Sequence, residues 1–304
     1  MRSMKKGVTF FLVLFFSLFV SSATNRALLI GVSKYEDSSW KYLHSLNDVS
    51  ILQQSLSKDF KIITLLDKDA TYKNIKNNLS RLCNMTQPGD TVLIHFSGHG
   101  QQMVAVGKEE VDGLDEALVP YDAYRIYKQG FYEGQCHLRD DEFSMYVNNI
   151  RKKLNGKGLI MVAIDSCHSG NFDRGELEDE EEDIEDPVER GMNSIFGEET
   201  LSATERVKLT SIRIKTDHSS ITSPGCNVIY ISACQPRETD KEMKDNTTGV
   251  SYGPLSYCLS KAYQQYGLSN VNSLINEVAL LMIKYAPAQN AMFTNSFGFE
   301  PSVK

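Results

Sequence analysis

Two glycine-flanked segments carry residue types suited to nucleophilic catalysis. Ser97-Gly98-His99-Gly100 follows the apolar run TVLIHF, and Asp165-Ser166-Cys167-His168-Ser169-Gly170 follows the apolar run GLIMVAI. A thiolate is the reactive form of cysteine, and an imidazole beside it favours that form or takes its proton during attack. The same imidazole, once protonated, can hand a proton to a leaving amine. The backbone N–H groups of Gly100 and Cys167 are candidate donors to a developing oxyanion. Glycines around His99 and Cys167 let the backbone turn sharply and present each side chain. Either residue by itself is more often a buried structural residue than a catalytic one. Spacing alone therefore leaves a Cys–His enzyme and two structural residues both open. His95, His99, Cys167 and His168 are also potential metal donors. No CxxC, HxxxH or HExxH pair accompanies them, which weighs against a metal centre. His95 lies inside its apolar run and should face the side opposite Phe96.

A nucleophile and base from distant segments must be brought together by the fold. Runs 26–32, 61–66, 91–96, 158–164 and 226–232 read as buried strands. Stretches 48–56, 71–83, 140–154, 254–266 and 271–285 have helical periodicity. Strands alternating with helices of this length imply an α/β fold with a mainly parallel central sheet and helices on both faces. Active sites in such sheets gather at the carboxyl ends of strands. His99 and Cys167 follow two such ends.

The first residues read as an export signal. Arg2, Lys5 and Lys6 precede the apolar stretch Val8 to Val20, and Ser21-Ser22-Ala23 supplies small residues for cleavage. Residues 1–23 are thus expected to be removed, placing the protein in a secreted or periplasmic setting. An uncleaved anchor is the alternative, but the apolar run falls short of the ~20 residues a spanning helix needs. No stable membrane span is expected once the signal is gone. Six cysteines (Cys83, Cys136, Cys167, Cys226, Cys234 and Cys258) match no zinc or small-scaffold spacing, and most are expected to be buried thiols. The net charge is −7, and residues 176–199 hold twelve acids against Arg190 alone. The remainder has no basic excess to attract nucleic acid. The acidic stretch cannot bury enough apolar surface to offset its ordering, so 174–222 is expected to be a mobile surface excursion. It divides a larger region, 24–173, from a smaller one, 223–304, that completes the same domain.

HFSGHGQQ, DGLDEALVPYDA, LRDDEF and DSCHSG, in that order, resemble a metacaspase. ISACQPRETDKE and TGVSYGPLSYCLSKAY resemble that family's small-subunit region, so the likeness runs from about Arg26 to about Tyr285. The resemblance implies a caspase-like three-layer αβα sandwich and a cysteine endopeptidase with His99 and Cys167 as its dyad. It implies a primary specificity pocket formed by Asp48 and Asp165 with Ser97 nearby. Ser45 stands where many members have a second cysteine. A buried carboxylate pair is costly without a cation, and a substrate Arg or Lys would supply one. Protein or peptide substrates with Arg or Lys before the scissile bond are therefore expected. For Asp165, a strand-end residue bonding local N–H groups is an equal alternative.

The resemblance also implies calcium, with Asp115, Asp140, Asp141 and Asp173 as ligands. Asp140 and Asp141 equally suit the start of a helix. Self-cleavage between the two regions is a further implication, with Arg174, Arg190, Arg206, Lys208, Arg213 and Lys215 as candidate sites. A catalytically silent binding module and a transpeptidase or ligase using the same dyad are the competing readings. Asn78, Asn84 and Asn246 begin N-glycosylation sequons, relevant in a eukaryotic secretory route.

Overall fold

A computed structural model describes residues 23–105, 113–167, 188–191, 195–202, 226–235 and 238–295. Six strands build the main sheet: β1 (Asn25–Gly31), β2 (Phe60–Leu66), β3 (Thr91–Ser97), β7 (Leu159–Asp165), β8 (Asn227–Ser232) and β11 (Met292–Asn295). Their order is β11-β8-β7-β3-β1-β2, and every pairing is parallel except β11 with β8. Strands buried on both faces read as continuous apolar runs, which is why RALLIG and GLIMVAI show no polar alternation.

Successive side chains nonetheless sort to opposite faces. Leu28, Ile30, Ile94, Phe96 and Val162 pack with Ile75, Leu79 and Leu82 of α2 (Tyr72–Met85) and Phe143 and Val147 of α3 (Asp140–Leu154). Leu29, Leu93, Met161 and Ile231 pack with Leu52 of α1 (Ser45–Leu56), Leu259 of α4 (Pro254–Tyr266) and Leu274 of α5 (Val271–Tyr285). Among the described residues, two helices on one face and three on the other make the αβα sandwich. Thr71 caps α2 by accepting the Asn74 N–H, and Asn270 caps α5 by accepting the Ser273 N–H. α4 starts with Gly253-Pro254, where proline's missing N–H costs no helical bond.

Beyond the carboxyl end of β3 lies a small antiparallel sheet of β4 (Gly100–Val104), β5 (Leu114–Leu118) and β6 (Leu138–Arg139). A hairpin of β9 (Met243–Lys244) and β10 (Ser251–Tyr252) leads into α4. The sequence reading contained neither of these small sheets. Their strands are two to five residues long, too short for a periodic signal.

Part of the expected surface excursion belongs to the fold. Arg190, Ile195 and Phe196 are buried, and residues 188–191 and 195–202 thread across the carboxyl end of the sheet. The dense acidic run ends at Asp186. Val188, Ile195 and Phe196 then offer apolar anchors, and Arg190 a cation, so this portion can be held where the acids cannot. Residues 1–22, 168–187 and 203–225, with the expected signal sequence, His168, Asp173, Arg174, Arg206, Lys208, Arg213 and Lys215, lie outside the described residues. Among the described residues, no helix is long and apolar enough to cross a membrane.

Candidate active site

β3 and β7 are neighbours, with Ser97 opposite Asp165. His99 and Cys167 each stand two residues beyond that paired position, so one sheet edge carries both. His99 is packed between aromatic rings, stacked on Trp40 at a 5.0 Å centroid distance and tilted against Tyr35 at 5.4 Å. Its backbone N–H donates to the Tyr35 hydroxyl at 2.7 Å. Its ring Nε2 lies 2.9 Å from the Lys41 carbonyl oxygen. A carbonyl can only accept, so Nε2 carries the hydrogen and Nδ1 keeps its lone pair. Nδ1 is buried without a hydrogen-bond partner. Burial holds the imidazole down to about 4, with the Lys41 hydrogen bond working against that and the Arg190 charge adding to it. The ring is therefore neutral at pH 7, the form a general base requires.

Cys167 is fully buried, and no disulfide joins any of the six cysteines. Cys226, Cys234 and Cys258 are buried too, while Cys83 and Cys136 are half-buried.

Arg190 fills the space between these elements. Its carbonyl oxygen accepts from the N–H of Gly100 at 3.2 Å and of Cys167 at 3.4 Å, the two groups expected to face an oxyanion. The thiol stands directly against the next residue, for a Cβ placed on Gly191 would come 1.9 Å from Cys167 Sγ. The Arg190 side chain runs into an acidic pocket. Nη2 lies 2.8 Å from Asp48 Oδ2 and 2.8 Å from Glu242 Oε1. Nη1 donates to Ser97 Oγ at 2.6 Å and to the Asp165 carbonyl at 3.2 Å, and lies 4.0 Å from Asp165 Oδ1. Neither Arg190 nor Asp48 nor Asp165 is exposed to solvent.

The carboxylates are themselves held in place. Asp48 sits in the first turn of α1, where the helix dipole favours an anion. It accepts from Ser97 Oγ at 2.7 Å and from the Gly253 N–H at 2.8 Å. Asp165 Oδ2 accepts from the N–H and the hydroxyl of Ser256 at the start of α4, at 2.6 and 2.5 Å. Because that hydroxyl donates to Asp165, it accepts from His95 Nε2 at 2.8 Å. His95 thus supports the pocket from the face opposite Phe96.

Burial raises Asp48 up to about 7, opposed by the Arg190 charge and assisted by Asp165. Burial opposes the Arg190 charge as well, but Asp48, Asp165 and Glu242 outweigh it and raise the guanidinium well above its usual value. Asp240, beneath the pocket, is raised well above the carboxylate range by burial and by Asp165. The pocket is matched to one fully desolvated cation.

Of the residues assigned from sequence, Asp48, Ser97, Asp165, His99, Gly100 and Cys167 converge on Arg190. Of the expected calcium ligands, Asp115, Asp140 and Asp141 lie among the described residues, where β5 and β6 pair with Ala117 opposite Arg139. Asp115 is ion-paired with Arg139 Nη1, and Asp140 Oδ1 accepts the Asp141 N–H at the start of α3. Among the described residues, no group of three or more His, Cys, Asp or Glu side chains is arranged to hold a metal ion.

Sequence reasoning missed Glu242, Gly253, Ser256, Tyr35 and Trp40. Glu242 ends the segment ISACQPRETDKE, and Gly253 and Ser256 lie in TGVSYGPLSY, so the positions stood within noted motifs without a role. A Cβ on Gly253 would meet Asp165 Oδ2 at 2.3 Å and Arg190 Cζ at 2.7 Å, so glycine forms one wall of the pocket.

The sheet order, the helices on both faces and the site at the strand ends define the caspase fold. Among solved structures, protein GSU0716 from Geobacter sulfurreducens aligns with a TM-score of 0.60 at 18% identity, covering 92% of this chain and 96% of that one. Caspase-1 from Spodoptera frugiperda aligns with a TM-score of 0.53 at 14% identity, covering 90% of this chain and 86% of that one. The caspase domain family model matches residues 24–297, and the chain belongs to that family. Its curated relatives are metacaspases. Metacaspase-1 of Mycosarcoma maydis is 26% identical over 86% of this chain and 68% of its own length. Metacaspase-7 of Arabidopsis thaliana is 32% identical over 48% of this chain and 35% of its own length. The protein is thus metacaspase-like, within a family of cysteine peptidases.

Proposed function

We propose that this protein is an exported endopeptidase that hydrolyses peptide bonds after Arg or Lys, and that its own Arg190–Gly191 bond is one of them. The seat of Arg190 carries this reading. Its guanidinium lies among Asp48, Asp165 and Glu242, and its carbonyl receives the Gly100 and Cys167 N–H groups beside the thiol.

In the proposed reaction, Cys167 sulfur bonds to the carbonyl carbon as its proton passes to His99. The oxyanion is held by Gly100 and Cys167 N–H. The C–N bond then breaks, and His99 returns the proton to the Gly191 amine. Water, deprotonated by His99, attacks the thioester; the C–S bond breaks and the thiol is regenerated. Until the bond is cut, the intact chain fills its own pocket. Export rests on residues 1–23.

The test uses the chain from residue 24 onward, purified as wild type, Cys167→Ala and Arg190→Ala, with Ca²⁺ or a chelator. Wild type is expected to yield a fragment beginning at Gly191, and both variants to remain uncut there. Processed enzyme should cleave fluorogenic peptides ending in Arg or Lys and spare those ending in Asp. Cleavage after Asp alone, or no cleavage under any condition, would overturn the reading.

A further inference from the structure

The residues on either side of Arg190 are held as definitely as the arginine itself. Arg190 N–H donates to the Asp240 carbonyl and Glu242 N–H donates to the Val188 carbonyl, both at 2.9 Å. Glu189 therefore lies directly opposite Lys241 in an antiparallel bridge, and Lys241 Nζ is 3.3 Å from Glu189 Oε1. On the other side of the bond, Gly191 bridges Gly100. Phe196 N–H then donates to Gln102 O, and Val104 N–H to Phe196 O. Residues 188–190 thus pair with 240–242, and Gly191 and Phe196 each pair with β4, as the residues of an added strand would. Strand addition of this kind takes affinity from main-chain bonds and selectivity from the side chains facing the receptor.

Two of those faces discriminate. Opposite charges directly across an antiparallel pair attract, and like charges repel. Lys241 would therefore favour an acidic residue before the arginine and disfavour a basic one. After the arginine, a Cβ would lie 1.9 Å from Cys167 Sγ and 3.0 Å from the Cys167 carbonyl oxygen. The thiol would have to turn away and the carbonyl oxygen, which is backbone, to give by a few tenths of an ångström, so a side chain here shifts the bond relative to the thiol and glycine does not.

We propose that the site selects the sequence acid-Arg-Gly, with Lys241 reading the acid and Cys167 favouring the glycine. This rests on the Arg-directed reading and narrows its substrates. The probes are internally quenched peptides containing Val-X-Arg-Z, with X as Glu, Gln or Lys and Z as Gly, Ala or Val. They are cleaved by self-processed wild type and by Lys241→Glu.

With Z as Gly, wild type is expected to prefer Glu over Lys by about threefold to tenfold in kcat/KM, falling as salt screens the half-exposed pair. Lys241→Glu should reverse that order. With X as Glu, Gly should exceed Val by roughly 100-fold, the scale a misplaced reacting atom costs. A Gly191→Val chain should also remain uncut while retaining the wild-type circular dichroism spectrum. Equal cleavage of every Arg peptide would overturn this proposal and leave the Arg-directed reading standing. Cleavage of none would overturn both.

Discussion

Arg190 Nη2 lies 2.8 Å from Asp48 Oδ2, and neither side chain reaches solvent. A cation so enclosed is structural as well as a candidate substrate group. Arg190→Ala, compared in a Cys167→Ala background, leaves Asp48 and Asp165 without a counter-charge, while Glu242 keeps His44 Nδ1 at 2.5 Å from its Oε2. Removing one partner of a buried ion pair costs about 3–5 kcal/mol. Asp48 is already raised up to about 7, so it can take a proton when the cation is gone. The loss in urea unfolding should therefore be larger at pH 8 than at pH 5. A loss that is equal at both would mean the carboxylates do not depend on Arg190 for their charge.

Gly253 closes the pocket by having no side chain. With a Cβ only 2.3 Å from Asp165 Oδ2 and 2.7 Å from Arg190 Cζ, Gly253→Ala excludes the guanidinium. Loss of the fragment beginning at Gly191, and a fall of about 100-fold in kcat/KM on Arg peptides, are the expected results. Thermal unfolding of the same variant separates an excluded arginine from a broken fold. Normal cleavage by Gly253→Ala would place the arginine elsewhere.

The main sheet was legible because burial on both faces leaves long apolar runs, and TVLIHF and GLIMVAI are such runs. His99 and Cys167 were legible as glycine-flanked polar residues following them. Glu242 was not, because it reaches the pocket through a loop that neither periodicity nor spacing describes. Nor was the role of Gly253, which consists of an absent atom seen only against a neighbour. Arg190 stood out as the single cation of an acidic tract and as one of six cleavable residues. Its burial could not be read there, since the composition around it argues for solvation, and four contacts distant in sequence reverse that.

Tyr35 orients His99 from the backbone side. Its hydroxyl accepts the His99 N–H at 2.7 Å in a buried site. Tyr35→Phe leaves that N–H unmet, a loss of about 1–3 kcal/mol. Since the ring remains stacked on Trp40, the arginine pocket is untouched. The variant should lower Tm and reduce kcat while leaving KM for Arg peptides near wild type. A rise in KM alone would assign Tyr35 to the pocket instead.

Acid should unfold this protein through its buried histidines, and His137 allows that to be measured. Tyr132 hydroxyl and Gln101 Oε1 lie 2.9 Å from its Nδ1 and Nε2, and Phe196 packs on its ring at a 4.8 Å centroid distance. Gln101 Oε1 can only accept, so Nε2 carries the hydrogen and the tyrosine donates to Nδ1. The ring is satisfied only when neutral. Burial, helped by Arg139, lowers His137 to about 3, and burial lowers His95 and His99 to about 4. A base whose folded value lies below its unfolded 6.5 binds more protons unfolded, so its stability is intact above 6.5 and lost as pH falls toward the folded value. Asp48, raised from 3.8 to about 7, works in the opposite direction over an overlapping range, so total stability mixes both signs. Comparing Cys167→Ala with Cys167→Ala/His137→Gln cancels the shared groups. Between pH 6 and 4.5 the double variant should lose about 1.4 kcal/mol per pH unit less than its parent, the value of one proton. Parallel curves would mean that His137 is already protonated in the folded chain. Its Gln101 bond, and the seat it gives Phe196 beside β4, would then have to be redrawn.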